Sequence, residues 1–276
     1  MYVKFKNENY GCWGSKRLVR RCPTHWHEFY EISFLLNGSA YETVNGIKKL
    51  ASPGSVTLLS PDDFHLIEPL SDAPIEYEVC CIRAEELTGE TAALLKKYPP
   101  PYYLEPKGQN LETLRAAFDL FIGELGNSGW KYTVKYTALA ILSICVNIAA
   151  GEENLIVTDK SGEACGKLKS TRQVMQYISE HYPEKITRDE IAECCGFSPN
   201  YLSRLFKSVA GVSLSEHITD IRMQQAMSLF KNTDKCIGDI IESVGYRSPS
   251  LFYRHFYSRF GTKPSEARNG KPSHTL

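Results

Sequence analysis

Between residues 24 and 82, short apolar runs alternate with turn signals. Glu31-Ile32-Ser33-Phe34-Leu35-Leu36 leads into Asn37-Gly38, and Asn45-Gly46 has the composition of a two-residue hairpin turn of the primed type. Pro53-Gly54 precedes Ser55-Val56-Thr57-Leu58-Leu59, and Pro61-Asp62-Asp63 follows it. Strands at this spacing predict a small all-β barrel or sandwich. After Arg83 the period changes. Residues 88–98 predict a short helix, stopped by Pro99-Pro100-Pro101. Leu111, Leu114, Phe118, Phe121, Ile122 and Leu125 recur at helical spacing, as do Val134, Ala138, Ile141, Leu142, Cys145 and Ile148. These predict two amphipathic helices, at 111–126 and 131–150. Residues 1–22 read as an irregular basic arm containing Lys16, Arg17, Arg20 and Arg21. Residues 151–167, with Glu152, Glu153, Asp159, Ser161 and Gly162, read as a linker.

The remainder predicts helices throughout. One covers 170–181, with Val174 and Ile178 on its apolar face. Thr187 with Glu190 forms a capping box for a second, and a third starts at Ser198. Ser213 with Glu216 caps a long fourth, through Phe230. A fifth covers 237–244 and a sixth starts near Ser248. The division that follows is an all-β domain followed by helices at 1–150, a linker at 151–167 and an all-α domain at 168–270.

The helical part repeats itself. Gly196-Phe197-Ser198-Pro199 is followed by Leu202, Arg204, Phe206 and Gly211. Gly245-Tyr246-Arg247-Ser248-Pro249 is followed by Phe252, Arg254, Phe256 and Gly261. The offset is 49 residues at the first glycine and 50 from the proline onward, so the second copy has one extra residue in its turn. A helix-turn-helix needs a small residue where its helices touch, a turn glycine and an apolar face beneath the reading helix. Ala192, Gly196, Leu202 and Leu205 supply these in the first copy, and Ile241, Gly245 and Phe252 in the second. With Leu202, Leu205, Phe206 and Val209 inward, Asn200, Ser203, Arg204 and Lys207 share the outer face. With Leu251, Phe252 and Phe256 inward, Ser250, Tyr253, Arg254 and Tyr257 point out. Arginine pairs bidentately with guanine in the major groove, and asparagine with adenine. A connecting helix of about 18 residues is about 27 Å long, enough to set two reading helices about one DNA turn apart.

Composition changes this picture only in one respect. The chain of 276 residues is 42% hydrophobic and 23% charged, ordinary for globular domains, and its formal net charge is zero. Residues 167–276 carry 16 Lys/Arg against 11 Asp/Glu, a charge of +5, and residues 1–166 carry 16 against 21, a charge of −5. A polyanion therefore suits the helical half alone. No apolar run follows Lys4, Lys6 and Glu8, so no signal peptide is expected, and the apolar window 137–150 reads as a buried helix too short for a bilayer. The nine cysteines show no C-x-x-C spacing and read as reduced, buried thiols of a cytoplasmic protein.

Residues 170–268 resemble the AraC/XylS-type DNA-binding domain along its whole length. The motifs are Ile191-Ala192, Gly196-Phe197-Ser198-Pro199, Tyr201-Leu202-Ser203-Arg204-Leu205-Phe206-Lys207, Ile221-Arg222 with Ala226, Val244-Gly245-Tyr246, Phe260-Gly261 and Lys263-Pro264-Ser265. Ile241 and Glu242 depart from the small residues usual there, and Tyr257 from a usual lysine, which weakens the expected phosphate contact of the second unit. The resemblance implies promoter DNA as partner, a homodimer formed through the helices at 111–126 and 131–150, and RNA polymerase as a further candidate partner.

In the N-terminal half, His25-x-His27, then Glu31 and Gly38, resembles the first cupin motif. Pro53-Gly54 with Pro61 and His65 resembles a degraded second one, in which Asp63 replaces a glycine. In metal cupins such residues hold Fe, Mn or Zn inside the barrel. In AraC-type sensors, the resemblance implies, the same barrel mostly binds a small organic effector without metal. His25, His27, Glu31 and His65 are accordingly expected to bind an effector, a sugar being one class, with no cofactor and no catalytic residue. Trp26, Phe29, Tyr30, Phe34, Tyr41 and Phe64 read as core or as rings at the barrel mouth. The expected function is an effector-responsive transcription regulator. The competing class is a metal-dependent cupin enzyme carrying a nucleic-acid-binding tail.

Overall fold

The apolar runs of the N-terminal half become two antiparallel sheets in the computed structural model, which describes residues 11–61, 63–125, 131–151 and 162–268. The chain divides into two units, Tyr2–Lys160 and Ser161–Thr275. In the first, one sheet runs in the order β1 (Cys12–Val19), β8 (Ile75–Arg83), β3 (Phe29–Asn37), β6 (Val56–Leu59) and β9 (Tyr102–Leu104). The other runs β2 (Cys22–His25), β7 (His65–Pro69), β4 (Ala40–Val44) and β5 (Ile47–Ala51). Successive side chains of a strand point to opposite faces. Phe29 and Leu35 of β3 thus join Ala40, Ala51, Ile75, Tyr77, Val79 and Cys81 in one core. Ile32 and Phe34 join a second, built with Leu114, Phe118 and Phe121 of α2 (Gln109–Glu124) and Ala138, Ile141 and Leu142 of α3 (Lys131–Gly151). Burial on both faces explains the near-continuous apolar run 31–36. The expected hairpin turn is present: Val44 pairs with Ile47, and both Asn45 (φ 49°) and Gly46 (φ 85°) adopt the positive φ that a primed turn requires.

Several expectations are corrected. The basic arm is ordered from residue 11 onward. Residues Cys12–Val19 are a strand registered against Ile75–Ile82, and their burial alternates because one edge of that sheet is half-exposed. Residues 1–10 lie outside the described residues, as do 152–161 of the expected linker. Residues 162–167 of that linker already belong to α4 (Gly162–His181). The helix at 88–98 is α1 (Gly89–Lys97), capped by the Thr88 hydroxyl, and the proline run after it leads into β9. Tyr41 is exposed rather than core. The apolar window 137–150 is part of the 21-residue α3, and residues 132–151 are long and apolar enough to cross a membrane by length and composition. The packing of Val134, Ala138, Ile141, Leu142, Cys145, Val146 and Ala149 against the first sheet accounts for that apolarity. Cys12, Cys80, Cys81, Cys145 and Cys195 are buried as expected, whereas Cys194 and Cys236 are exposed.

The second unit consists of α4, α5 (Arg188–Cys195), α6 (Pro199–Ala210), α7 (Leu214–Asn232), α8 (Ile237–Ser243), α9 (Pro249–Phe260) and α10 (Pro264–Arg268). Local chemistry fixes the helix starts. Thr187 with Glu190 and Ser213 with Glu216 form complete capping boxes, and Ser198 and Ser248 cap helices whose first residue is proline. α4 packs on α5 and α6. Met223, Ala226 and Phe230 of α7 share a core with Ile240, Ile241, Val244, Tyr246, Phe252 and Phe256.

The two turn glycines are not equivalent. Gly196 (φ 74°) has open space where a Cβ would stand. A Cβ on Gly245 (φ 85°) would lie 2.7 Å from the Pro183 carbonyl oxygen and 3.0 Å from that of Tyr182. Gly196→Ala should therefore cost about 1 kcal/mol, the left-handed backbone alone. Gly245→Ala should cost about 3 kcal/mol, because backbone must also move. Urea denaturation of the two variants checks this; equal losses would mean that the Pro183 contact contributes nothing.

Candidate DNA interface and sensor site

On α6, burial of Leu202, Leu205, Phe206, Val209 and Ala210 turns the opposite side outward. Asn200, Arg204 and Lys207 are exposed there, as expected. Ser203 departs from expectation: it is half-buried, and its hydroxyl donates to the Pro199 carbonyl at 3.0 Å. A hydroxyl bonded back to the preceding turn is turned toward its own helix rather than to a ligand. Tyr201, not singled out from sequence, is exposed beside Arg204. On α9, Phe252 and Phe256 are buried, and Ser250, Tyr253, Arg254 and Tyr257 are exposed. Leu251, expected inward, is 37% exposed, since the two phenylalanines already fill the space against Phe230. Arg247, the extra residue of the second turn, is exposed as well.

Buried polar groups tie these helices to the α7 strut. Arg259 at the end of α9 lies 3.4 Å from Asp220 of α7, with both side chains nearly inaccessible. Arg222 donates to the carbonyls of Tyr182 (2.8 Å) and Glu184 (2.7 Å) and lies over the Tyr246 ring. Tyr246 in turn meets His255 Nδ1 of α9 at 2.7 Å. His217 of α7 is buried under α6 against Phe206, ring centroids 5.3 Å apart, and neither ring nitrogen has a hydrogen-bond partner among the described residues. Burial holds its pKa well below the usual value.

In the first unit the four residues expected to bind an effector converge. His25 on β2 faces His65 on β7 across the ladder, ring centroids 4.0 Å apart, and His27 lies 5.1 Å from His65. Glu31 reaches them from β3 of the other sheet: its carboxylate is 3.5 Å from His27 Nε2 and 3.7 Å from His65 Nε2. All four are buried. Each imidazole is oriented by a backbone carbonyl near its Nδ1: Pro23 for His25 (2.9 Å), Phe29 for His27 (2.9 Å) and Asp63 for His65 (3.3 Å). Burial lowers all three imidazole pKa values, that of His27 to about 4. Burial disfavours the charged form of Glu31, and the facing His27 and His65 rings and Arg17 oppose that effect. Asp63, the residue in the glycine place of the second motif, fixes the loop before His65. Its carboxylate accepts from Asn45 Nδ2 (2.8 Å) and the Ser60 amide (2.7 Å).

Ligand atoms of His27, Glu31 and His65 lie within 4.8 Å of one another, a donor set suited to a divalent cation; His25 is not part of that set. A second buried polar cluster escaped the sequence reading. Glu42 of β4 accepts from Tyr77 (2.6 Å) and from Thr57, both on the opposite sheet, and burial raises its carboxyl pKa. Its signal was its phase: Glu42 shares the inward face of Ala40 and Val44, two residues away on either side.

Residues 18–142 match the AraC-like ligand binding domain, and residues 191–270 match a helix-turn-helix domain family. The chain belongs to the AraC family of transcriptional regulators. This AraC-type regulator is 28% identical over 159 residues to the bifunctional transcriptional activator/DNA repair enzyme AdaA of Bacillus subtilis, covering 51% of this chain and 75% of that protein. It is 34% identical to the lactose operon transcription activator of Staphylococcus xylosus, over 36% of this chain and 35% of that one. Apo ToxT from Vibrio cholerae shares its fold at 16% identity and a TM-score of 0.51, covering 95% of this chain and 98% of that one. The regulator thus joins a sheet-rich ligand-binding domain to a DNA-binding domain with two helix-turn-helix units.

His217 gives the DNA-binding unit a defined pH dependence. The folded chain holds this imidazole neutral, whereas the unfolded chain protonates it below about pH 6.5, so stability is lost as pH falls below that value, by up to about 1.4 kcal/mol per unit. His217→Leu should remove this component: from pH 7.5 to 5.5 it should lose about 1 kcal/mol less than the natural chain in urea titrations. Superimposable pH profiles would show that His217 titrates alike in both states.

Proposed function

We propose that this regulator reads promoter DNA with the exposed faces of α6 and α9 and adjusts transcription when a small organic effector occupies the space around His25, His27, Glu31 and His65. The observation that carries the reading is the pair of in-register helices, each presenting an arginine, Arg204 and Arg254, opposite a buried apolar face. Asn200, Lys207, Ser250 and Tyr253 complete the proposed DNA contacts; Ser203, whose hydroxyl is turned to the Pro199 carbonyl, is left out of them. Sugars are one effector class, consistent with a lactose-operon activator among the relatives. Residues 1–150 sense and dimerise, and 168–270 bind DNA. Leu120 on α2 with Tyr132 and Tyr136 on α3, all exposed, suit a homodimer contact. The regulator acts in the cytoplasm, without enzymatic activity, and addresses RNA polymerase at its promoter.

Arg204→Ala and Arg254→Ala should each weaken binding to the specific site by about 1–3 kcal/mol and relax selectivity at one cluster of base pairs. Footprinting on the promoter reads both effects, and unchanged affinity and selectivity in Arg204→Ala would remove that residue from the interface.

A promoter–reporter strain grown on a panel of mono- and disaccharides tests the sensor. His27→Ala and Glu31→Ala should abolish the response while promoter occupancy persists. A normal response in both variants would place the effector elsewhere.

A further inference from the structure

The two reading helices match residue for residue at an offset of 50: Asn200 with Ser250, Tyr201 with Leu251, Ser203 with Tyr253, Arg204 with Arg254 and Lys207 with Tyr257. Their buried faces are alike, with Leu202 and Phe206 in one, Phe252 and Phe256 in the other. Their exposed faces are not. α6 presents Asn200, Arg204 and Lys207. α9 presents one exposed charge, Arg254, among Leu251, Tyr253 and Tyr257, which are 37%, 41% and 59% exposed. Among the described residues of this unit, the exposed large apolar side chains are these three and Tyr201, all on the reading helices. Tyr201 leans on the Phe197 ring, centroids 5.6 Å apart, and Tyr253 meets the Phe252 ring at 6.1 Å. The core gains little from the three on α9, because Phe252 and Phe256 already fill the space against Phe230.

Ser250, Tyr253, Arg254 and Tyr257 recur at the spacing of one helical stripe, and Leu251 flanks Arg254 one turn away. An exposed apolar patch rimmed by polar groups marks a surface that binds something. In the major groove, the apolar feature of a base edge is the C5-methyl group of thymine. We propose that Leu251, Tyr253 and Tyr257 pack on thymine methyl groups, so that α9 reads a thymine-bearing segment by apolar contact around one arginine, while α6 holds its segment mainly through charge. Tyr257, where the first copy has Lys207, thereby exchanges a phosphate contact for a base contact. The proposal rests on the reading of both faces as DNA-contacting, and adds the base chemistry that the second face requires.

The test uses the full chain and a duplex that it selects from random sequences. Hydroxyl-radical footprints of Arg204→Ala and Arg254→Ala assign one protected segment to each helix. Replacing thymine by deoxyuridine removes the methyl group and keeps the base pair and its O4 acceptor. In the α9 segment this should weaken binding about fourfold for each methyl contacted, as expected when one methyl-sized group is no longer taken out of water. Replacement outside both segments should change nothing. Leu251→Ala and Tyr253→Ala, at exposed positions, should bind the thymine duplex more weakly and discriminate less against deoxyuridine. Tyr257→Lys should also discriminate less, and should steepen the salt dependence of binding by about one unit of slope. Equal affinity of the natural chain for both duplexes, or an α9 segment without thymine, overturns the methyl contacts; if Arg254→Ala still weakens binding, the DNA reading stands. A chain that selects no duplex, or binds its duplex equally well in both arginine variants, removes the DNA reading itself. Leu251→Ala and Tyr253→Ala that bind the duplex normally but lose transcription in a promoter–reporter strain give the α9 face to RNA polymerase and overturn the proposal as well.

Discussion

Strand β3 must satisfy two buried faces at once, and the sensor unit depends on that constraint. Ile32 and Phe34 fill the side covered by α2 and α3, while Phe29, Glu31 and Leu35 face the space between the sheets. A slip of one residue would exchange the two sets and send a carboxylate against Phe118. The ladders on both sides, Glu31 opposite Leu59 on β6 and opposite Cys81 on β8, hold the register. Glu31 is thereby aimed at His27 and His65, and the chemistry of the pocket follows from strand phase.

Burying polar groups at that place costs free energy unless they are partnered. Glu42 shows the solved case, with Tyr77 and Thr57 donating to it from the opposite sheet. The cluster of His27, Glu31 and His65 shows the other, with each ring fixed on one side by a carbonyl and its free lone pair aimed inward. A structural core would replace such groups with apolar ones at little loss. In the proposed effector site, a bound ligand would supply the missing partner.

The DNA-binding unit works by a different logic, in which one rigid strut serves two copies of a motif. α7 supplies Met223, Ala226 and Phe230 to the second copy and His217 to the first. The Asp220–Arg259 pair and the Arg222–Tyr246–His255 chain lock it to α9. Polar links of this kind fix direction as well as distance, which apolar packing alone does less well. The exposed arginines therefore sit on helices whose orientation is set from beneath.

Much of this was legible from residues alone, because the signals were local. The capping boxes at Thr187 and Ser213, the serine–proline starts of α6 and α9, the Asn45-Gly46 turn and the helical spacing of Leu114, Phe118 and Phe121 act within a few residues of chain. The motif spacing also marked His25, His27, Glu31 and His65, and Arg204 and Arg254. What sequence could not decide were the pairings between distant segments. The basic residues 12–19 became a strand only because β8, some sixty residues away, offered an edge. Ser203 and Leu251 had the right spacing for their expected faces, but a neighbouring carbonyl and two phenylalanines settled their environments. The Glu42 network, and the separation of His25 from the three atoms that face one another, exist only once two sheets close. Periodicity gives each side chain a face; only the fold brings that face a partner.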